Sequence, residues 1–111
     1  MEINEYQRIA MRTNNDQLSK RDGLIISAMG LCGESGEVID LIKKHIAQGH
    51  PLEKEILIKE LGDVAWYLAK MASVLDVDLE EICRQNIKKL EARYPEGFDA
   101  NRSMNRGDQD E

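Results

Sequence analysis

Two acidic pairs with identical spacing, Glu34-x-x-Glu37 and Glu60-x-x-Asp63, stand out in this 111-residue chain. Residues three apart on a helix lie about 60° apart around its axis, so each pair projects from one face. Two such pairs on adjacent antiparallel helices would gather four carboxylates around one point. Four oxygen donors, with no His or Cys among them, suit a hard cation, Mg²⁺ or Mn²⁺. The competing reading is a set of solvated surface acids, as most Asp and Glu are. Two features weigh against solvation. No basic residue stands four positions after any of the four; those places hold Val38, Leu41, Val64 and Tyr67. Asp40 with Lys44 shows what an ordinary exposed pair looks like here. Glu60 and Asp63 also share a flank with Ile56 and Tyr67, where like charges repel and lose hydration. Metal ligation and solvated acids both remain open on spacing alone.

The elements that must carry these acids read as helices. Ile3, Tyr6, Ile9 and Ala10 recur at helical spacing over roughly 3–13, and the polar stretch 18–23 reads as a connection. Leu24, Ala28, Leu31, Val38, Ile42 and Ile46 mark a second helix over roughly 24–47. Gly30, Gly33 and Gly36 inside it need a reason: close helix approach, a bend, or room for a ligand. Gln48-Gly49-His50-Pro51 ends this helix, and Pro51 suits an early position of the next. Leu57, Leu61, Val64, Leu68, Met71 and Leu75 form a seam for another helix over roughly 52–75. A fourth helix starts near Asp78, where Asp78 and Glu81 resemble a capping box, and Tyr94-Pro95 stops it. The chain from Asp99 onward is polar, includes Asn105-Arg106-Gly107-Asp108, and reads as a mobile tail. The expected fold is all-α, an antiparallel four-helix bundle occupying 1–98 with a tail over 99–111. Its small core and long seam point to oligomerisation through helices.

Composition removes several function classes. A formal charge of −6 argues against nucleic-acid or acidic-membrane binding, which need a basic footprint. No apolar run is long enough to span a bilayer, and Met1-Glu2-Ile3-Asn4-Glu5 lacks a signal-peptide pattern, so a cytoplasmic protein is expected. Cys32 and Cys83 sit among apolar neighbours and read as buried thiols without a nucleophilic role. A di-iron bundle needs Glu-x-x-His, and neither His45 nor His50 has an acid three residues before it; they read as a helix-end and a loop residue. No glycine-rich loop follows a strand, which excludes a P-loop or dinucleotide fold. Lys88, Lys89 and Arg93 either hold phosphate or complement the dipole of a helix end, whereas Lys43-Lys44 reads as a solvated helix end. Trp66 reads as core rather than as a stacking platform.

Taken together, Gly30-Leu31-Cys32-Gly33-Glu34-Ser35-Gly36-Glu37-Val38 and Lys59-Glu60-Leu61-Gly62-Asp63-Val64-Ala65-Trp66-Tyr67-Leu68 resemble the MazG-like nucleotide pyrophosphohydrolases. The run from Asn86 to Phe98, with Lys-Leu-x-x-Arg-Tyr-Pro inside it, and the opening Glu5-Tyr6-Gln7 with Thr13 fit the same pattern. The resemblance covers roughly 3–103. It implies that Glu34, Glu37, Glu60 and Asp63 hold Mg²⁺ and that Asn86, Lys89 and Arg93 contact the triphosphate or complete the pocket. Gly33 and Ser35 flank Glu34 where larger relatives often carry a second acid.

The implied reaction is hydrolysis of a (deoxy)nucleoside triphosphate to the monophosphate and pyrophosphate, for nucleotide-pool housekeeping. In it, the bound Mg²⁺ neutralises the phosphates and activates water, Glu37 takes the water's proton, and Glu34 completes the catalytic pair. Lys89 and Arg93 stabilise the leaving charge, and the base packs against Trp66 or Tyr6. The resemblance further implies a homodimer or homotetramer in which neighbouring chains contribute to the pocket. The alternatives are a non-catalytic helical module that binds a nucleotide or partner, and a purely structural dimerisation bundle.

Overall fold

The computed structural model describes residues 1–106. Its elements are α1 (Ile3–Ala10), a 3₁₀ turn (Met11–Thr13), α2 (Lys20–Gln48), α3 (Lys54–Val74), α4 (Leu79–Arg93) and α5 (Ala100–Met104). All the regular elements among the described residues are helical, in agreement with the all-α expectation; the lone exception to helix is an isolated bridge between Pro95 and Gly97. The chain divides into two compact units, Met1–Leu79 and a second beginning at Glu80.

In the first unit α2 and α3 form a helical hairpin and α1 packs on α3. The hairpin turns where Gly49 takes a left-handed φ of 73°, a conformation that costs a residue without Cβ little. Pro51 does not open the next helix as its position suggested. It stays in the loop, and α3 begins at Lys54 behind Glu53. The start of α2 is also earlier than hydrophobic periodicity indicated. Ser19 Oγ accepts the Asp22 N–H at 3.1 Å, and this cap makes Lys20-Arg21-Asp22 a polar first turn rather than a connection.

The core is small: Ala10, Ala69, Ala72 and Leu79, with Tyr6, Met11 and Trp66 packed against it. Small residues let α1 approach α3 closely, so the deepest face of α3 is the one bearing Ala69, Lys70 and Ala72. Leu61, Leu68 and Leu75 of the expected seam stay substantially exposed. Gln7 locks α1 in place. Its amide donates to Ser73 Oγ (3.0 Å) and the Val77 carbonyl (3.1 Å) and accepts the Leu79 N–H at 2.7 Å. This buried amide is therefore engaged on both its nitrogen and its oxygen, and it fixes the chain from the end of α3 to Leu79.

Cys32 and Cys83 are both exposed, not buried. Successive residues on a helix point about 100° apart, so apolar neighbours in sequence do not cover a side chain between them. His45 and His50 do occupy a helix end and a loop, with His45 Nδ1 2.7 Å from the His50 carbonyl oxygen. In the second unit, the stretch after Asp99 is not uniformly irregular. Asp99 accepts the backbone N–H groups of Asn101 (2.8 Å) and Arg102 (3.1 Å) and caps the short α5. The part of the expected tail over 107–111 lies outside the described residues.

Candidate metal centre and its cleft

Glu34 sits in the middle of α2, and Glu60 and Asp63 sit one turn apart on α3. The hairpin brings one carboxylate oxygen from each to within 4.8 Å of the others. None of the three makes an ion pair within 4.0 Å among the described residues, and Lys59, the one nearby cation in sequence, does not reach Asp63. Glu37, the fourth acid of the two pairs, lies outside this trio and is exposed.

Electrostatics records the crowding. Desolvation first, then the charge of Asp63 and a shared hydrogen bond with Glu60, then the charges of Glu60 and Glu37, push the Glu34 carboxyl above its ordinary value. Tyr6 is also raised, by burial first and then by Asp63. Three anionic oxygens that lack a cation and repel one another are a donor set that a hard dication fits. A bound dication would bring the missing positive charge and relieve that repulsion.

A cleft of about 330 Å³ opens beside the trio, lined by Glu34, Asp63, Trp66 and Tyr67. Trp66 is both a core and a cleft residue. Its indole Nε1–H donates to Thr13 Oγ1 (2.9 Å) and the Ala10 carbonyl (3.1 Å), and Thr13 Oγ1 in turn donates to Ala10 O at 2.8 Å. The Tyr67 ring meets Trp66 edge-on, centroids 5.0 Å apart at 81°. Tyr67 also explains Gly30: a Cβ there would stand 2.1 Å from Tyr67 Cε1. Gly33 and Gly36 meet nothing within 4 Å, so close approach accounts for one of the three glycines.

Asn86, Lys89 and Arg93 fall on one face of α4, at spacings of three and four. Sequence reasoning passed over Lys70, which is buried on α3 with its ammonium against Asn14 and over the Trp66 ring. The signal for it was faint: a lysine that shares a helical face with Trp66 and Asp63.

Residues 27–98 match the MazG nucleotide pyrophosphohydrolase domain, a span that includes all four acids and Asn86, Lys89 and Arg93. The chain belongs to the MazG family. It is also 38% identical over 80 residues to the Gene 37 protein of Mycobacterium phage L5, covering 68% of this chain and 70% of that protein. No solved structure matches it. The family match starts at residue 27, so α1 and the connector to α2, which orient Trp66 and contact Lys70, lie outside the matched segment. Among the described residues no helix of this MazG-family chain is long and apolar enough to cross a membrane.

Proposed function

We propose that this MazG-family chain hydrolyses a (deoxy)nucleoside triphosphate to the monophosphate and pyrophosphate in a metal-dependent reaction. The observation that carries the proposal is the convergence of Glu34, Glu60 and Asp63 within 4.8 Å, without a cation paired to them among the described residues, beside an aromatic-walled cleft. These three carboxylates would hold Mg²⁺, with Mn²⁺ as the alternative, and Glu37 completes the acidic set. When bound, the metal neutralises phosphate charge and makes an attached water a better nucleophile.

The chain's own residues do the rest. Glu37, one turn from Glu34 and outside the trio, accepts the proton of the attacking water. The water oxygen bonds to the α-phosphorus as the bond from that phosphorus to the α,β-bridging oxygen breaks. Pyrophosphate leaves with that oxygen. Trp66 offers a ring face to the substrate in the cleft. Asn86, Lys89 and Arg93 are assigned to the triphosphate by family resemblance; Lys89 and Arg93 are half-buried on their helix. Glu34 remains in the catalytic pair as the ligand closest in sequence to Glu37.

The working form is a homodimer or homotetramer in the cytoplasm. Exposed Met29 (65%), Ile39 (67%) and Ile46 (77%) on α2, set against a core of four buried apolar residues, support association between copies. Size exclusion with light scattering tests this, and a monodisperse monomer at working concentration would overturn it.

The activity test is a panel of canonical and modified (d)NTPs with Mg²⁺, scoring pyrophosphate and orthophosphate separately. The expected outcome is pyrophosphate with monophosphate, abolished by chelator and by Asp63→Asn with helicity retained. No pyrophosphate from any substrate, by a folded protein that Mg²⁺ and nucleotide nevertheless stabilise, would favour a non-catalytic binding module.

A further inference from the structure

The first unit contains a second cavity of about 460 Å³, walled by the α1–α2 connector, the first turn of α2 and the end of α3. Lys70 lines it and is 3% exposed. Its ammonium donates to Asn14 Oδ1 and stands 5.6 Å over the centroid of the Trp66 ring. No carboxylate lies within ion-pair distance of it among the described residues. An ammonium carries three donors, and a buried one is costly unless they are used. Among the described residues Lys70 has one protein acceptor, so donors remain for a ligand.

Asn14 adds to this edge. An ammonium can only donate, so Asn14 must turn its Oδ1 towards Lys70, which leaves its Nδ2 as a donor with no protein acceptor among the described residues. Lys70 and Asn14 therefore present neighbouring donors. Asp16 and Asp76 line the same cavity, so a neutral carbonyl suits it better than a free anion.

The register links this cavity to the carboxylates. Lys70 follows Asp63 by seven residues, two helical turns, and so lies on the same face of α3 about 10.5 Å along the axis. Trp66 lies between them, lining the carboxylate cleft while its ring supports the Lys70 ammonium. The two cavities share no lining residue, and the spacing along α3 is within the reach of a nucleotide that passes Trp66 with its phosphates at the carboxylates and its base towards Lys70. Resting on the nucleotide reading above, we infer that Lys70, with Asn14, is a specificity determinant that selects bases bearing a carbonyl oxygen where cytosine and adenine bear an amino group. The favoured bases are uracil and thymine through O4 and guanine through O6; the exocyclic amines of cytosine and adenine would oppose donor to donor.

The test compares dUTP with dCTP and dGTP with dATP, with Mg²⁺, in the parent protein and in Lys70→Met. Trp66 is the chain's single tryptophan, so its fluorescence separately reads binding of α,β-non-hydrolysable analogues of the same four nucleotides. The parent should favour the carbonyl base in each pair by about tenfold or more, the scale of one hydrogen bond to a charged group. Lys70→Met should erase that preference in both kcat/KM and analogue affinity, while leaving the melting temperature nearly unchanged. Asn14→Ala should reduce it in the same direction, and it carries the test if Lys70→Met does not fold. A parent without preference, a parent that favours the amino bases, or variants that keep the parent's preference would overturn the inference. No turnover of any triphosphate alongside base-selective analogue binding would instead overturn the hydrolase reading and leave the role of Lys70 standing.

Discussion

Glu34 and Asp40 are carboxylates on the same helix, yet their surroundings push them in opposite directions. Lys44 Nζ lies 2.8 Å from Asp40 and Lys43 Nζ lies 3.8 Å away, and the hydrogen bond to Lys44 holds the Asp40 carboxyl below its ordinary value. Glu34 has no such partner; burial and the α3 acids raise it. Asp40 is satisfied within one turn of its own helix, so its state is a local property. The state of Glu34 is created by a second helix. A partly covered acid without a counter-ion among the described residues, beside two more like itself, is one whose charge a cation from outside would balance.

The strongest way to break this contrast is to neutralise one acid of each kind. Asp63→Asn should lower kcat for pyrophosphate release by about 10²–10³-fold, the scale of losing one charge-stabilising group. Asp40→Asn should leave turnover unchanged in the same assay. Equal losses from both would remove the distinction. The second test is thermal. Saturating Mg²⁺ should stabilise the parent by about 2.7 kcal/mol at a hundredfold excess over Kd, and chelator should reverse the shift. Asp63→Asn should lose most of that response and Asp40→Asn should keep it.

The glycines of α2 extend the comparison from charge to packing. Gly30→Ala would drive a Cβ into the Tyr67 ring, which is wedged beside Trp66, and should destabilise by about 1–3 kcal/mol. It should also raise KM, because Tyr67 lines the cleft. Gly33→Ala meets open space and should stabilise by up to about 1 kcal/mol through helix propensity. Urea midpoints of the two variants, shifting in opposite directions, would confirm that one glycine is held by contact and the other is not.

The legible parts of this molecule are those governed by local rules. Apolar spacing marks the helices α1 to α4, and acid spacing singles out Glu34, Glu37, Glu60 and Asp63, of which the fold gathers all but Glu37. What stayed hidden depends on partners distant in sequence. The three glycines look alike along the chain, and only the Tyr67 ring separates Gly30 from the others. The seam of α3 is only half covered, at Leu57, Val64 and Met71, and the deepest face went unread because alanines, not leucines, let α1 come close. Lys70 went unread since a lysine in isolation signals solvent; in the fold its ammonium meets Asn14 of the connector and lies over the Trp66 ring one turn earlier on α3. Ser19 was missed for a simpler reason: a capped first turn is polar and resembles a loop.

The finest test of the contrast is pH. Glu34's folded value lies above its ordinary 4.5, so the native state binds that proton more tightly than the unfolded chain does. The stability it contributes is complete below 4.5 and is lost as pH rises through the folded value. Asp40 is the reverse: its contribution is present above 3.8 and is lost as pH falls through its lowered folded value. In chelator, Glu34→Gln should therefore gain stability relative to the parent as pH rises above 4.5, whereas the deficit of Asp40→Asn should shrink on acidification below 3.8. Both effects are small, because both groups reach water. Their opposite signs, read from urea midpoints across acid to neutral pH, are what matters. Adding Mg²⁺ sharpens the result. A dication turns the repulsion around Glu34 into attraction, so Glu34→Gln should change from stabilising to destabilising at neutral pH while Asp40→Asn does not respond. A Glu34→Gln variant indifferent to Mg²⁺ would mean that the three acids, although brought together by the fold, do not act on a metal.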